Sequence, residues 1–576
     1  MARRLGWRST AALDDFAIVA TDPGSNTLPV VSDSIDDLLH GEGLSADTRL
    51  VPESFDSCTD QANANRLFAH FGHKLRSIAG AFYFYTGTHW MRSEGEAARC
   101  AARLSEMVKL EADAIQVKLD AMVKDAGEII AKSLGDMNNS ERPSQSKGRT
   151  ALTKSDEGVA ILMVNAKLTA LRKWQKACEM EPTQAKALSL ARKLLTLDSA
   201  RLDAHHHLLN CRNGTIDLRT GELHAHNPDD YITHCAPTDY VPDARAPNFE
   251  RFLAEILDDE RSLFLRRWFG YCATGETREQ KVVLHIGEGS NGKGTLFRLL
   301  QDVLGSYVHT AAPGLMTAAG DNRHPTEIAD LFGRRLVISH ESDEGASLRE
   351  GFVKQASGED KLSGRRMYQD FFEFMPTFKL QLLTNHKPTV KGADFGIWRR
   401  LLLLFYPHKY GTAEQVKKGE ATRIADEFLT AKLLAEREGI LTWLVAGAKE
   451  WYQSKLRPPD SVLDDSVRYR NEQDRVKQFV ADRCIIDPNV WSSYSGGDGL
   501  YPAYNQWCKE SGYMTMGVNR FGGELARVVP GAKREESRTR LPTGGFKTMA
   551  GVRGLRVNTD YDGGGVAFAV GNEDLI

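Results

Sequence analysis

Residues 281–295, KVVLHIGEGSNGKGT, have the residue types and the spacing of a polyphosphate-binding loop. Gly287, four further residues and the pair Gly292-Lys293 follow the phosphate-loop pattern. In such a loop backbone amides surround the polyphosphate, the lysine reaches the β- and γ-phosphates, and the next helix points its positive end at the anion. Converging amides need a tight backbone without Cβ obstruction, which explains glycine at 287, 289 and 292. The predicted nucleotide-binding residues are Gly287, Gly289, Ser290, Asn291, Gly292, Lys293, Gly294 and Thr295.

The flanking sequence favours this interpretation over a glycine-rich hairpin with a chance lysine. An apolar β-branched run precedes the loop, and an apolar run with helical spacing follows it. One position departs from the pattern: Gly294 stands where Ser or Thr usually binds Mg²⁺, and Thr295 comes one place later. We expect Thr295 to contact an α-phosphate oxygen and to be a weaker candidate for the metal. The predicted cofactors are ATP and Mg²⁺, with the metal bound mainly by water and by a carboxylate elsewhere.

Two further apolar runs end in side chains that suit the same chemistry. Glu341 ends the run at 335–340, which we predict to be the strand beside the loop strand, and Asp343 is the second candidate. A carboxylate there binds the Mg²⁺ shell or orients the attacking water. Asn385 follows a third predicted strand at 378–383, and its amide is expected to hydrogen-bond the γ-phosphate or its water. Acidic residues that follow a strand are often solvated turn residues. This prediction therefore depends on the position of Glu341 and Asp343 after the phosphate loop in the sequence.

Several arginines and lysines are predicted to contact other molecules: two arginines a neighbouring subunit, and a larger basic set DNA. Arg399 and Arg400 precede the apolar run LLLLF, and one could be a finger that reaches a neighbouring subunit's nucleotide. A pair of surface arginines is the alternative. The run at 362–374 predicts two strands and a tip whose arginines would meet a nucleic-acid backbone. The predicted DNA-binding residues are Lys354, Lys361, Arg365, Arg366, Arg538, Arg540 and Lys547.

The elements that must position these residues form a multidomain α/β chain of 576 residues. Near the C-terminus, predicted helices at 467–484, 500–512 and 520–529 precede a basic two-stranded wing at 538–556, a winged-helix pattern. A basic helical cap without DNA binding is the alternative for that segment. The predicted segments are 1–60, loosely structured; 61–204, mostly helical with a polar insert near 135–149; 205–275, a domain preceding the ATPase; 276–456, the ATPase core; and 457–576, the DNA-binding domain.

Composition excludes several classes of protein. The net charge of −3 gives no overall attraction to nucleic acid, so any such surface must be local. Eight scattered cysteines without a CxxC pair argue against a zinc ribbon or a disulfide scaffold. His205, His206 and His207 are consecutive and cannot all face one metal ion. No signal peptide and no run of membrane-span length are found, so we expect a soluble, cytoplasmic protein without a membrane partner.

Five motifs in order resemble the superfamily 3 helicases: GEGSNGKGT, LVISHE, KQASGEDKLSGRRMY, FKLQLLTNHKPTV and DFGIWRRLLLLFYP. More narrowly, they resemble the phage/plasmid primase–helicase family that includes the poxvirus primase–helicase. The resemblance covers about residues 205–480. It implies an AAA+-like ATPase, usually a homo-hexameric ring, that moves 3′ to 5′ on single-stranded DNA.

The resemblance also implies roles for single residues. Lys293 and its glycines would bind the nucleotide, Glu341 would take the Walker B role and Asn385 the sensor role. Arg399 or Arg400 would act in trans. The block 354–368 matches the stretch that contains the family's DNA-contacting hairpin, and the hairpin tip here carries Gln369 where lysine is frequent.

The leading hypothesis is an ATP-driven replicative DNA helicase of a phage or mobile element, acting on single-stranded and forked DNA in the host cytoplasm. We find no paired-aspartate motif of a primase, so a separate primase or polymerase partner is expected. The alternative is an initiator or loader that uses ATP to assemble on DNA without processive unwinding. An AAA+ protein remodeller would need an aromatic pore loop, and the pair Arg365-Arg366 disfavours it.

Overall fold

The structure is a computed structural model, and several predicted residues lie outside the part that it describes. Among them are the segment predicted to be loosely structured up to residue 56, Asp343 after the second strand, and the hairpin-tip residue Gln369. The backbone is described at Glu341, Arg540 and Lys547, and their side chains are not. The described residues are 57–317, 325–341, 345–367, 370–390, 395–495, 499–513, 515–529, 531–540 and 546–558.

The described chain forms two units, of which the first comprises residues 57–70 and 98–194 and is helical, as predicted. Its long third and sixth helices pack through apolar residues such as Val108, Ile161 and Leu168. The predicted polar insert at 135–149 is shorter than expected, because helices cover both of its ends. The helices that begin in or cross into this unit are α1 (Asp60–Phe71), α2 (Glu94–Ala102), α3 (Leu104–Ala126), α4 (Glu128–Asn138), α5 (Lys147–Leu152), α6 (Asp156–Ala177) and α7 (Glu181–Leu194).

A buried ion pair lies in the core of this helical unit. The Arg66 guanidinium donates through Nε and Nη2 to the two carboxylate oxygens of Glu111, at 2.7 and 2.6 Å, and Nη1 donates to Asn63 Oδ1. Both charged side chains are almost fully buried. Because each charge is matched by a bidentate partner, α1 is fixed to α3 at one register.

The second unit, residues 71–97 and 195–558 of the described chain, begins with two small sheets. In the first sheet an aromatic hairpin pairs Tyr85 with Trp90. The second sheet has three antiparallel strands, the last two of which form a hairpin within 213–224. The strands are β1 (Leu75–Ile78), β2 (Ala81–Tyr85), β3 (Trp90–Arg92), β4 (Thr196–Leu197), β5 (Leu208–Cys211), β6 (Gly214–Asp217) and β7 (Glu222–His224).

The same unit contains a five-stranded parallel sheet whose strand order is β14-β8-β13-β10-β9. Every residue of β8 and β13 is buried, as is typical of parallel strands covered on both faces. The strands of this part are β8 (Val282–Ile286), β9 (Val308–Thr310), β10 (Leu336–Glu341), β11 (Leu362–Arg365), β12 (Phe371–Phe374), β13 (Lys379–Thr384), β14 (Leu401–Phe405), β15 (Tyr410–Gly411) and β16 (Arg423–Ile424).

Helices on the two faces of the parallel sheet provide the other walls of its core. The helix after the loop strand buries Leu296, Leu300 and Val303 against the sheet. Among the described helices of the chain, none is long and apolar enough to cross a membrane. The helices of this part are α8 (Pro247–Ile256), α9 (Asp259–Ala273), α10 (Lys293–Leu304), α11 (Pro325–Ala329), α12 (Glu350–Ala356), α13 (Phe395–Trp398), α14 (Ala413–Lys417), α15 (Leu429–Leu434) and α16 (Arg437–Ser454).

The strand order corrects one expectation. The strand that ends in Glu341, β10, was predicted to lie beside the loop strand β8, but β13 lies between them. Neighbours in a sheet are set by hydrogen bonding between distant segments, which order along the chain does not determine. Thus the strand that leads to Asn385, and not the strand that ends in Glu341, is next to the loop strand.

The C-terminal part differs from its prediction at one helix and one strand. The single helix predicted at 467–484 is two helices, because Asp474 breaks it and its side chain accepts from Lys477 N at 3.0 Å as an N-cap. A strand that was not predicted then pairs with the predicted hairpin, in the order β17-β19-β18. These elements are α17 (Asp460–Gln473), α18 (Arg475–Arg483), β17 (Cys484–Ser493), α19 (Leu500–Glu510), α20 (Val518–Val528), β18 (Lys533–Arg540) and β19 (Phe546–Val557).

Candidate functional site

The loop at 287–292 joins the carboxyl end of β8 to the first turn of α10. Ser290 and Gly292 have φ values of 60° and 87°, so the backbone turns through left-handed conformations at two places. Asn291 is buried, donates through Nδ2 to Glu288 O and accepts from Lys293 N at 3.3 Å. The loop is therefore stabilised from within, and the N-terminus of a 12-residue helix opens onto it.

Two of the loop glycines are required by close contacts. A Cβ on Gly287 would lie 2.4 Å from Asn291 Nδ2, and one on Gly292 would lie 2.6 Å from Ile256 Cγ2. At Gly289 and Gly294 no atom of the described residues lies within 4 Å of a Cβ. Neighbouring side chains therefore leave no room for a Cβ at 287 and 292, whereas the expectation that all three glycines let amides converge on an anion stays a prediction.

Lys293 links the loop to the sheet. Its side chain is buried, and Nζ donates to Gly287 O and, at 3.0 Å, to Thr384 O at the end of β13. Burial disfavours the charged form and lowers the pKa of Lys293 to about 8. The lysine that the pattern predicted to bind phosphate therefore lies where the loop meets the carboxyl edge of the parallel sheet.

The three predicted residues of the nucleotide chemistry share that edge. Thr384 is in register with Ile286 on one side and with Glu341 on the other. Adjacent strands are about 4.8 Å apart, so the backbone of Glu341 is two strand spacings, roughly 10 Å, from the end of β8. Asn385 follows Thr384 directly and is exposed. The structure thus brings Lys293, the Glu341 backbone and Asn385 to one edge.

Arg399 and Arg400 lie at the other end of the sheet. Val282 N, at the start of β8, donates to Arg400 O at 2.8 Å. The five residues of β8 rise by about 3.3 Å each, so roughly 13 Å separates this end from the loop. Arg399 Nη2 donates to Gln280 Oε1 at 2.7 Å, and Lys281 Nζ donates to Arg399 O at 2.6 Å. Within one chain, the structure does not bring these arginines to Lys293.

The predicted hairpin is present as β11 and β12, in antiparallel register. Arg365 ends the first strand and is exposed, and Arg366 follows in the turn, 4.0 Å from Asp330. Lys361 lies 3.4 Å from Glu373, and Lys354 lies on α12. In the C-terminal sheet, Arg538 is exposed on β18, Arg540 ends β18, and Lys547 pairs with Thr539. The predicted DNA-binding residues therefore form two separate groups.

A buried polar network behind the loop was missed by the sequence analysis. His285 on β8 is hydrogen-bonded to Tyr406 Oη and to Gln381 Oε1, both at 2.9 Å, and Trp268 Nε1 donates to the same Gln381 oxygen. Burial lowers the pKa of His285 to about 3, so this ring is neutral at physiological pH. The sequence signal of this network was a histidine and a glutamine within apolar runs. Their hydrogen bond could not be predicted, because it depends on β8 and β13 being neighbours in the sheet.

Two family descriptions match separate parts of the chain. Residues 64–258 match the family described as “D5 N terminal like”, and residues 285–400 match a family described as one of unknown function. The second match contains most of the parallel sheet and the loop. Neither match covers half of the chain.

Curated viral proteins are similar to this chain at low identity. The chain is 28% identical over 324 residues to “Putative helicase L207/L206” of Acanthamoeba polyphaga mimivirus, covering 54% of this chain and 34% of that protein. It is 26% identical over 287 residues to “Putative helicase 022R” of Frog virus 3, covering 47% and 29%. It is 22% identical over 327 residues to “Putative primase C962R” of African swine fever virus, covering 53% and 34%. The chain therefore spans about a third of the length of these relatives.

Among solved structures, the apo C-terminal region of NrS-1 aligns with a TM-score of 0.33 at 11% identity, covering 55% of this chain and 77% of that one. The curated proteins are more informative than this weak structural likeness. The chain is a low-identity relative of viral proteins named as helicases and primases, and its residues 64–258 match the D5 N-terminal-like family.

Proposed function

We propose that this chain is an ATP-dependent replicative DNA helicase whose nucleotide site is the carboxyl edge of the parallel sheet. The observation that carries the proposal is the position of Lys293, which donates to the loop at Gly287 O and to the neighbouring strand at Thr384 O. Ligands of parallel α/β sheets bind beyond the carboxyl ends of the strands, and helix N-termini attract phosphate. Relatives named as helicases favour this role in replication.

Each group at this edge suits one part of ATP hydrolysis. The Lys293 ammonium would leave its carbonyl partners for the β- and γ-phosphates, because a phosphate oxygen carries more negative charge than a carbonyl oxygen. Glu341 would orient the attacking water, and Asn385 would hydrogen-bond that water or the γ-phosphate. Mg²⁺ prefers oxygen ligands, and the Thr295 hydroxyl in the first turn of α10 and the Glu341 carboxylate are such donors. When bound, Mg²⁺ neutralises charge on the phosphates.

The position of Arg399 and Arg400 supports assembly into a ring, with a hexamer as the proposed form. They lie at the opposite end of β8 from Lys293, so neither can reach the phosphates bound by its own chain. In a head-to-tail ring, one chain's arginine edge faces the next chain's loop. An arginine that stabilises the transition state from there would couple hydrolysis to assembly.

DNA is the proposed partner of the hairpin and of the C-terminal sheet. The hairpin would hold the single strand with Arg365 and Arg366 during 3′ to 5′ movement, and the winged-helix-like C-terminal part would bind the duplex of a fork. A primase or polymerase is proposed to act as a separate protein. The alternative function is an ATP-dependent initiator or loader, which the exposed Arg534 and Arg538 on β18 also suit.

The test compares ATP hydrolysis and strand displacement by the Lys293→Ala variant with those of a control, Lys432→Ala. The control removes an exposed lysine that is paired with Asp426. We expect Lys293→Ala to lose ATP hydrolysis at least a hundredfold, because it removes the cation that the phosphates need, and Lys432→Ala to match the wild type. Equal hydrolysis by both variants would refute the site. ATP hydrolysis by the wild type without displacement of a strand from forked DNA would favour the loader.

A further inference from the structure

The two faces of the hairpin β11–β12 differ sharply. On the inner face Leu362 and Phe374 are buried, Phe372 and Phe374 pack edge-on against Phe332, and a Cβ on Gly364 would lie 2.8 Å from Ala329 N. The alternate residues face outward, among them Arg365 and Phe371. The inner face is therefore fully used for packing, and the outer face is free to bind a partner.

The outer face carries an aromatic ring that the fold does not need. Phe371 is 58% exposed, and the turn and the end of the hairpin add Met367 and Met375, which are 64% and 45% exposed. Three large apolar side chains within nine residues of an exposed hairpin mark an interaction surface, since such residues cost solubility when they serve no partner.

The cation beside this ring indicates the kind of partner. Arg365 pairs with Phe371 across the two strands, and its Cζ lies 4.8 Å from the centre of the Phe371 ring. Lys361 and Arg366 are near carboxylates of Glu373 and Asp330, whereas the described contact of Arg365 is aromatic. Arginine and aromatic side chains also serve protein interfaces, so the choice of DNA as the partner depends on the proposed role of this hairpin. A nucleic-acid strand would use a ring for its bases and a guanidinium for its phosphates or bases.

We propose that Phe371 and Arg365 form a stacking site for the bases of single-stranded DNA, in which the ring takes the face of a base and the guanidinium binds the adjacent phosphate. This inference rests on the proposed function in one respect, that the hairpin meets DNA. It goes further by assigning base contact, and hence a preference for single strands, to a residue outside the predicted basic set. In a duplex the base faces are stacked on one another and are not accessible to Phe371.

Two oligonucleotides of equal length test this: labelled oligothymidylate and an abasic deoxyribose-phosphate chain, measured by fluorescence anisotropy without nucleotide. Phe371→Ala should weaken binding of oligothymidylate by about tenfold and leave binding of the abasic chain unchanged, because base–aromatic stacking contributes roughly 1–3 kcal/mol per base. Phe371→Trp should restore binding, and Phe371→Leu should not. Arg365→Ala should weaken binding of both oligomers and reduce the salt slope by about one.

Phe428→Ala is the matched control, since Phe428 is 69% exposed on another segment. It should bind both oligomers like the wild type. Equal loss on both oligomers in Phe371→Ala, or no loss on either, would overturn the stacking site. A change of oligomeric state in sedimentation of Phe371→Ala would overturn it too, because the ring would then contact another copy of the chain. None of these outcomes depends on hydrolysis, so a failed ATPase assay remains a separate result.

Discussion

Alanine at Gly292 tests whether the loop backbone, and not only Lys293, makes the proposed nucleotide site. The φ of 87° places this residue in a region that costs about 1–2 kcal/mol for an L-residue. The added Cβ would also lie 2.6 Å from Ile256 Cγ2 and 3.2 Å from Phe252 Cε2, and overpacking of this kind costs about 1–3 kcal/mol. Restoring the binding conformation in the variant therefore requires about 2–5 kcal/mol in total.

The expected result follows from that sum. If the chain relaxes the loop, the dissociation constant of a non-hydrolysable ATP analogue should rise by about 30-fold or more, measured by calorimetry. Gly523→Ala is the control, because Gly523 lies within α20, no atom of the described residues lies within 4 Å of its Cβ, and alanine favours a helix by about 0.5–1 kcal/mol. It should bind the analogue within threefold of the wild type. Binding by Gly292→Ala that is as tight as in the control would refute the reasoning.

Three further predictions concern the metal, the neighbouring subunit and pH. Gly294→Thr should lower the Mg²⁺ concentration for half-maximal hydrolysis, because it places a hydroxyl directly after the lysine; an unchanged Mg²⁺ titration would contradict this. Arg399→Ala and Lys293→Ala should each be inactive alone, and mixing them should restore part of the hydrolysis; mixtures that stay inactive would contradict a finger in trans. Burial lowers the pKa of Lys379 to about 7, so the unfolded chain binds more protons between pH 7 and 10.5. The free energy of unfolding should therefore rise with pH in that window, more steeply in the wild type than in Lys379→Met, as urea titrations at pH 7 and 9 would show.

Much of the sheet could be predicted from the sequence because its signals are local. The apolar run before the loop, the glycines and the helical spacing after them lie within 30 residues, and the structure has β8 and α10 there. The hairpin at 362–374 was predicted for the same reason. The order of the strands could not be predicted from local signals. The position of β13 between β8 and β10 is decided by hydrogen bonds between segments far apart in sequence.

Local signals gave no indication of the strand β17 at the C-terminal end. The segment of β17 contains Asp-Pro-Asn at 487–489, which is typical of a turn, yet it lies inside a ten-residue strand. The pairing with β19 shifts register between Asp487 and Trp491, so a bulge accommodates the proline that would interrupt a regular ladder. Such a bulge depends on the partner strand, and only the structure shows it.

The same distinction separates the parts of the candidate site. Lys293 could be predicted to lie at the mouth of a helix, but its bond to Thr384 O required the strand order. This bond has a mechanistic consequence on our proposal. Thr384 directly precedes Asn385, so a phosphate that attracts the Lys293 ammonium away from Thr384 O also removes a contact that holds the end of β13. Nucleotide binding would then be coupled to the position of Asn385 through one side chain, without a hinge between domains.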